Sequence, residues 1–323
     1  MFIHPAMHIP DGFLSPLVAA VFWALSVIVI IIALRRVNRE LGEREVPMMG
    51  VLAAAIFAGQ MLNFAVAGGT SGHLMGAALA AILLGPWAAV LVMTSVVSIQ
   101  ALVFQDGGLL VLGANLFNMA VIGPFVSYFV YRAVMALARG QRWGVFAGGF
   151  AAAWASIVAA ALAVGMQIAL SGISPANVAI PAMGGIHALI GIGEALITLG
   201  ALSFVYAARR DLLKIGKAQP GSTRAVLVGG LLLTLALAVL SPLASADPDG
   251  LEAVAEQAGF IDTAQAPSYT IVPDYVFPGI TNEAAATIVA GIVGALLVLG
   301  VALLVGYTRR RRVDESVNRQ VSK

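Results

Sequence analysis

The chain has no cysteine and few charged residues, and both shortages exclude whole classes of protein. Without cysteine it can form neither a disulfide framework nor a metal site built on thiolates. Charged residues make up only 11% of the 323 residues, against about 25% in ordinary soluble domains. Apolar residues make up 60%, more than a soluble core of this size could bury, so lipid must be the solvent for the remainder. These proportions predict an integral membrane protein.

Apolar segments of about 20 residues, the length that crosses a bilayer, recur along the chain. We predict an all-α transmembrane bundle of about nine spans, a seven-span core followed by a two-span C-terminal module. The predicted helices lie near 14–34, 47–66, 74–85, 86–104, 113–134, 144–170, 184–208, 225–245 and 284–307. The third and fourth form one apolar run, which we divide at Gly85-Pro86.

The positions of the basic residues predict the orientation of the chain. With the N-terminus outside and nine crossings, all 18 Lys and Arg residues fall on the cytoplasmic side, as the positive-inside rule expects. Merging the third and fourth spans would place three basic clusters outside, which favours the division. The C-terminus is then cytoplasmic. Because no basic residue precedes the first apolar run, the N-terminus does not resemble a cleaved secretory signal.

Composition divides the chain into two modules joined by a basic linker. The first module is residues 7–208, the linker is residues 209–224, and the second module is the two-span segment 225–312. The outside loop of the second module, residues 246–283, carries seven acidic residues, four prolines and no basic residue. We expect a small irregular or partly ordered domain there. This acidic loop either gathers cations by its local potential or is only a solvated face.

Four histidines provide candidate metal ligands, since imidazole is the ligand expected of a cysteine-free nickel, cobalt, copper or zinc site. In the predicted topology His4, His8, His73 and His187 all lie outside or at the outer ends of spans. If translation begins at Met7, its amine, the His8 amide nitrogen and the His8 imidazole can chelate one ion. A fourth nitrogen would complete the square plane associated with Ni(II) or Cu(II), and His73, in a glycine-rich loop, can supply it.

Further polar residues are candidates for supporting roles. His187 and Glu194 are seven residues apart and share a helix face. Glu194 is either functional, as ionisable groups inside membranes often are, or simply protonated and hydrogen-bonded within the bundle. Five more candidates lie in or near the polar motifs: Asp11, Ser71, Asp106, Asn115 and Asn118. The last three either orient the loop of His73 or form turns beside glycines.

Three motifs together resemble the CbiM/NikM family, the substrate-capturing components of energy-coupling-factor (ECF) importers for cobalt and nickel. They are Met7-His8-Ile9-Pro10-Asp11-Gly12, the loop Gly68-Gly69-Thr70-Ser71-Gly72-His73, and Gln105-Asp106-Gly107-Gly108 with Gly113-Ala114-Asn115. The resemblance runs from about residue 7 to 208. It implies metal ligation by the amine of Met7, the amide and imidazole of His8 and the imidazole of His73. Ni(II) or Co(II) is then the transported substrate, and no permanent cofactor is expected.

The second module resembles the small CbiN/NikN component of the same importers, because Pro248-Asp249-Gly250-Leu251-Glu252 is the PDGLE signature. Fusion of both components in one chain resembles the nickel arrangement more than the cobalt one, although the same nitrogen ligands could bind either ion. Six residues, Met1 to Ala6, precede the family's usual start. We therefore expect that Met7 is the real start or that the extension is trimmed.

The predicted function is substrate capture and translocation without catalysis. The sequence has no Walker A motif, so ATP would be hydrolysed by separate CbiO/NikO-like cytoplasmic subunits. The resemblance implies coupling through a CbiQ/NikQ-like membrane subunit, a location in the cytoplasmic (inner) membrane among its lipids, and no nucleic-acid partner. One alternative is a gradient-driven secondary transporter, although the paired intramembrane charges and duplicated halves typical of that class are missing. Another is an intramembrane metalloenzyme with Glu194 as base, which lacks the motif His-Glu-x-x-His.

Overall fold

A computed structural model describes residues 7–37, 45–208, 210–213 and 223–321. Met1 to Ala6, with His4, lie outside the described residues, as does most of the basic linker. The helices are α1 (Pro16–Val37), α2 (Glu45–Gln60), α3 (Ala77–Leu84), α4 (Pro86–Ile99), α5 (Leu112–Leu116), α6 (Gly123–Leu137), α7 (Arg142–Leu170), α8 (Ala176–Ala208), α9 (Thr223–Leu240), α10 (Gly250–Gln257) and α11 (Glu283–Val321).

Short irregular elements complete the architecture. Strands β1 (Phe64–Val66) and β2 (Thr70–Gly72) form an antiparallel hairpin between α2 and α3. A π-helical turn, Gln100–Phe104, continues α4, and another, Phe117–Ile122, joins α5 to α6. Turns of 3₁₀ helix lie at Arg210–Leu213, Ser241–Leu243, Ile261–Thr263 and Pro273–Tyr275.

Within the described residues, seven helical segments are long and apolar enough to cross a membrane, so the chain is a multi-pass helical membrane protein. These segments are α1, α4 with its π turn, the continuous stretch from α5 to α6, α7, α8, α9 and α11. The other two predicted spans form shorter helices, 16 residues in α2 and eight in α3. The orientation of the bundle stays a prediction.

The long apolar run divides at Gly85-Pro86, as predicted. Gly85 has a φ of +83°, and Pro86 opens α4, where its missing N–H costs no helical bond. Three predicted boundaries were wrong, the first being the end of the last span, since α11 continues to Val321 rather than ending near 307. Helix α2 ends at Gln60 rather than 66, because the next residues pair in the hairpin. Helix α8 begins at Ala176 rather than 184 and runs through Pro181, which membrane helices tolerate when neighbours such as α7 pack beside them.

The two modules pack against each other. Helices α9 and α11 lie on α2, while α7 packs between α6 and α8. At the end of the bundle that carries the hairpin, α10 covers residues 7–15, the N-terminal segment. Leu251 and Val254 share one apolar cluster with Ile9 and Phe13. The N-terminal segment is therefore buried beneath the second module.

The acidic loop of the second module is partly ordered, as predicted. Asp249 is the N-cap of α10, and its N–H donates to the Glu252 carboxylate at 3.4 Å, in a capping box. This arrangement satisfies backbone donors that the first turn of a helix leaves open. The rest of the loop consists of turns and short 3₁₀ segments. The PDGLE motif is thus the start of an amphipathic helix.

Candidate metal site

The structure brings His8 and His73 together. Their ring centroids lie 5.6 Å apart with an interplanar angle of 70°. His8 is only 4% exposed, and neither of its ring nitrogens has a hydrogen-bond partner among the described residues. A buried polar group without a partner is uncommon in proteins and needs an explanation. Both residues line a cavity of about 70 Å³.

Backbone contacts of His73 and His187 determine which ring nitrogen of each residue is free. His73 Nδ1 donates to the carbonyl of Leu74 at 3.1 Å, and His187 Nδ1 donates to the carbonyl of Met183 at 2.9 Å. Because a carbonyl only accepts, both Nδ1 atoms carry the proton and both Nε2 atoms keep a lone pair. Metal-binding histidines commonly donate their second nitrogen in this way. His187 lines the same cavity as His73.

Asn115 and Asp106 hold the N-terminal segment. The Asn115 side chain accepts the N–H of Ile9 at 3.0 Å and donates to the carbonyl of Ile9 at 3.0 Å, the pair of bonds that a neighbouring strand would make. Asp106 Oδ1 accepts the N–H of His8 at 3.2 Å. The same oxygen lies 2.9 Å from His8 Nδ1, outside hydrogen-bond angles. Two nitrogens of His8 therefore face one point.

Of the two roles left open for these residues, orienting the loop of His73 is not what the contacts show, since both side chains bond the N-terminal segment. Gln105 ends the π turn of α4 with a φ of +57°, and the chain then runs beside the N-terminal segment, where Gly108 donates to the carbonyl of Ile9 at 2.9 Å. The polar motif after α4 is therefore paired with the segment of His8. Hydrogen bonds between segments a hundred residues apart leave no periodic signal in the sequence.

Asp11 and Asn118 likewise form no hydrogen bond with the loop of His73 among those of the described residues. Asp11 Oδ1 accepts the N–H of Leu110 at 2.9 Å and of Val111 at 3.2 Å, which fixes the N-terminal segment a second time. Asn118 lines the cavity, but its amide exchanges two hydrogen bonds with Gln167, at 2.9 and 2.8 Å. The sequence left open whether it orients the loop of His73 or forms a turn, and in the structure it connects the π turn before α6 to α7.

Glu194 holds the backbone that follows His73. Its carboxylate is fully buried and accepts the N–H of Met75 at 2.7 Å and of Gly76 at 3.0 Å. Gln60 donates to the carbonyl of Met75 at 2.8 Å. The extended stretch between β2 and α3 is thereby fixed from two helices. Glu194 thus bonds the backbone two and three residues after His73, a contact that its spacing from His187 could not reveal.

The second module is hydrogen-bonded to the hairpin of β1 and β2. The N–H of Ser71 and the hydroxyl of Thr70 both donate to the carbonyl of Pro248, at 2.8 and 2.9 Å. The Ser71 hydroxyl donates to the carbonyl of Asp247 at 2.8 Å. Asp249, 6% exposed, lines the cavity beside the histidines. Sequence reasoning missed Asp249, although an acidic residue in a motif predicted to lie on the same side as His73 was an available signal.

The electrostatic contact between His8 and Asp106 shifts the pKa of both residues. Burial lowers the pKa of His8, but the adjacent Asp106 carboxylate raises it by more, and Asp249 adds to this, so the net shift is upward. Burial raises the pKa of Asp106, but His8 and the hydroxyl of Tyr275 lower it by more, so the net shift is downward. Asp106 is therefore ionised at neutral pH.

Side chains alone do not complete a metal site here. Among the described residues, no group of three or more His, Asp or Glu side chains could hold an ion. Two imidazoles leave two positions of a square plane open. The Met7 amine and the His8 amide nitrogen stay the predicted donors for these two positions.

A second, larger cavity of about 1100 Å³ lies beside the first, and Met7 and Asp249 line both. Its lining is acidic, and no Lys or Arg of the described residues contributes to it. The acidic residues that line it are Asp106, Asp247, Asp249, Glu252, Glu256, Asp262 and Asp274. The acidic loop thus faces the candidate site rather than bulk solvent alone.

Comparison with known families finds two matches. The family described as cobalt uptake substrate-specific transmembrane region matches residues 8–212, and the PDGLE domain matches residues 224–311. The provisionally named fused nickel transport protein NikMN of Archaeoglobus fulgidus is 39% identical over 310 residues, 94% of this chain and 99% of that protein. The cobalt transport protein CbiM of Sorangium cellulosum is 34% identical over 67% of this chain and 100% of its own length.

A solved structure shows the same likeness. The crystal structure of a truncated transition metal transporter is 40% identical, with a TM-score of 0.54, and the match covers 62% of this chain and 98% of that one. These three relatives carry the names of transport proteins for nickel, cobalt or transition metals, and none of the three is named as an enzyme.

Proposed function

Since the chain belongs to the cobalt uptake substrate-specific transmembrane family and carries a PDGLE domain, we propose that it captures Ni(II) or Co(II) at the outer face of the cytoplasmic membrane and carries the ion across. The observation that carries this proposal is the buried His8 imidazole, which has no hydrogen-bond partner among the described residues and lies 5.6 Å, ring to ring, from His73. A buried imidazole that lies beside a second imidazole suits a borderline-soft divalent ion.

Four nitrogens bind the ion in this proposal: the Met7 amine, the His8 amide nitrogen, His8 Nδ1 and His73 Nε2. Support for the two His8 donors comes from their shared direction, since both lie within 3.2 Å of one oxygen of Asp106. Support for His73 Nε2 comes from the Nδ1 contact with Leu74, which leaves Nε2 unprotonated. The amide nitrogen must lose its proton to bind, so capture releases protons.

The two modules have separate tasks in this proposal. Residues 7–208 hold the ion, and residues 225–312 cover the site through the contacts of the PDGLE motif with the hairpin. The chain works as the substrate-binding component of an ECF importer. A CbiQ/NikQ-like membrane subunit and a CbiO/NikO-like ATPase supply the energy, because the sequence has no Walker A motif of its own.

Metal binding to the purified full-length chain tests the proposal. Calorimetry and visible absorption with NiCl₂ and CoCl₂ are run on protein beginning at Met7 and on protein beginning at Met1. We expect tight binding and a square-planar nickel spectrum only when Met7 is first, and the loss of both in His8→Ala and in His73→Ala. Equal binding by both forms would exclude the amine as a ligand, and unchanged binding by both alanine variants would overturn the site.

Energisation needs a separate experiment. We expect uptake of radioactive nickel by cells to require co-expressed coupling and ATPase subunits, and to stop when the ATPase Walker lysine is replaced. Uptake that persists without ATP and collapses with the proton gradient would favour a secondary transporter.

A further inference from the structure

Tyr275 of the second module contacts the carboxylate that holds His8. Its hydroxyl donates to Asp106 Oδ2 at 2.6 Å, while Oδ1 of the same carboxylate faces the N–H and Nδ1 of His8. We infer that Tyr275 is a positioning residue for metal capture: through Asp106 it keeps the amide nitrogen and Nδ1 of His8 facing one point, the relative orientation that chelation of a single ion requires. This inference rests on the proposed function of His8.

The Tyr275 ring is held firmly in place. It stacks on Phe104, with centroids 4.8 Å apart and an interplanar angle of 15°, and lies 6.1 Å from Phe57. Asp274 and Tyr275 have φ values of +52° and +56°, a left-handed conformation that few residues other than glycine adopt. Two such residues in succession direct the ring towards the end of α4, where Asp106 follows.

The segment around Tyr275 is also bound to α4 by its backbone. Val272 donates to the carbonyl of Val103 at 3.1 Å, and the N–H of Ile271 donates to Gln105 Oε1 at 3.1 Å. The hydroxyl of Tyr269 donates to the carbonyl of Leu102 at 2.8 Å. The hydrogen bonds of the neighbouring residues thus attach the loop to the π turn, and the hydroxyl of Tyr275 is the contact directed at Asp106.

The hydroxyl matters because a carboxylate can rotate about its own bond. With Oδ2 bonded to Tyr275, Oδ1 stays in the position that both His8 nitrogens face. Without that bond, the buried Asp106 carboxylate can turn towards other donors, and the amide nitrogen and Nδ1 of His8 lose the contact that fixes their orientation. Removal of a partner that orients a metal ligand typically weakens metal affinity by about 10- to 100-fold.

Tyr275→Phe tests this inference, because it keeps the stacked ring and removes only the hydroxyl. Tyr269→Phe is the matched control, since it removes a hydroxyl from the same loop that bonds a carbonyl and not Asp106. Protein that begins at Met7 and keeps both modules is titrated with NiCl₂ alone, and the visible spectrum and thermal unfolding are recorded. We expect about a tenfold loss of nickel affinity and an altered nickel absorption band in Tyr275→Phe, with both close to wild type in Tyr269→Phe.

A double variant separates positioning from general loosening. If Tyr275 acts through Asp106, then adding Tyr275→Phe to Asp106→Asn causes no further loss of affinity. Wild-type affinity and spectrum in Tyr275→Phe would overturn the inference, as would equal losses in both tyrosine variants or additive losses in the double variant. Retained binding in His8→Ala would instead refute the proposed site itself.

Discussion

Oδ1 of Asp106 lies 2.9 Å from Nδ1 of His8 and accepts the backbone N–H of the same histidine. One buried carboxylate therefore faces both nitrogens that the proposed site needs from His8. The pairing raises the pKa of His8 above its ordinary value, because the charge of Asp106 outweighs the opposing effect of burial. A protonated imidazole cannot bind a metal ion, so this contact links capture to pH.

The first prediction concerns that link. Nickel affinity is expected to fall with decreasing pH as His8 is protonated. Asp106→Asn removes the negative charge beside His8. Because burial then lowers the pKa of His8, half-maximal nickel binding should move to lower pH. Affinity at high pH falls, because the orientation of His8 is weakened. Nickel titrations from about pH 5 to pH 8, the interval in which histidine charges change, check this. A midpoint that stays or moves upward would contradict the assignment.

The second prediction uses the close packing around His8. Gly107 has a φ of +97°, and an added Cβ would lie 2.9 Å from His8 Cβ and 2.9 Å from Asn115 Nδ2. Gly107→Ala must displace one of these residues, so nickel affinity should fall at least tenfold. Gly172→Ala is the matched control, with a φ of +73° and open space around the added carbon. Both variants place a side chain at a positive φ, but only Gly107→Ala adds a close contact, so calorimetry of the pair measures the effect of that contact.

The helical architecture could be predicted because it depends on local properties. Lipid exposure requires long apolar runs, and the break at Gly85-Pro86 follows from the backbone preferences of those two residues. The proximity of His8 and His73 was also predictable from motif resemblance and a shared side of the membrane.

The supporting contacts could not be predicted, because they join distant segments. Glu194 reaches the backbone after His73, and Tyr275 reaches Asp106 across 169 positions. Neither pair has a spacing that local rules can interpret. The sequence indicated that Glu194 lies in a membrane span, where an ionisable group is unfavourable in free energy. It did not indicate which backbone groups Glu194 bonds.

The third prediction concerns Glu194, whose two oxygens accept the N–H groups of Met75 and Gly76. Glu194→Gln replaces one acceptor by an amide NH₂ and leaves a buried donor facing another donor. An unsatisfied buried group costs about 1–3 kcal/mol, so the free energy of unfolding should fall by this amount and nickel affinity should fall with it. Unfolding by denaturant in detergent and nickel calorimetry measure the two effects. Unfolding and binding like those of the wild type would show that this contact does not support His73.

The last prediction decides between the two roles left open for the acidic loop. Glu256 and Asp262 are exposed and line the large cavity beside Met7. If the loop gathers cations, neutralising both in Glu256→Gln/Asp262→Asn should slow nickel association roughly two- to fivefold at low salt. The dissociation rate should stay unchanged, because neither side chain touches the proposed ligands.

Glu283→Gln is the matched control, since Glu283 is an exposed acidic residue of the same loop that does not line the cavity. Stopped-flow association at low and at physiological ionic strength measures the effect, which salt should reduce because exposed charges are screened within about 10 Å at 0.1 M. Equal association rates in all three proteins would show that the acidic face is only solvated. A slower rate in the double variant alone, lost at higher salt, would show that the field of the second module draws the ion towards His8 and His73.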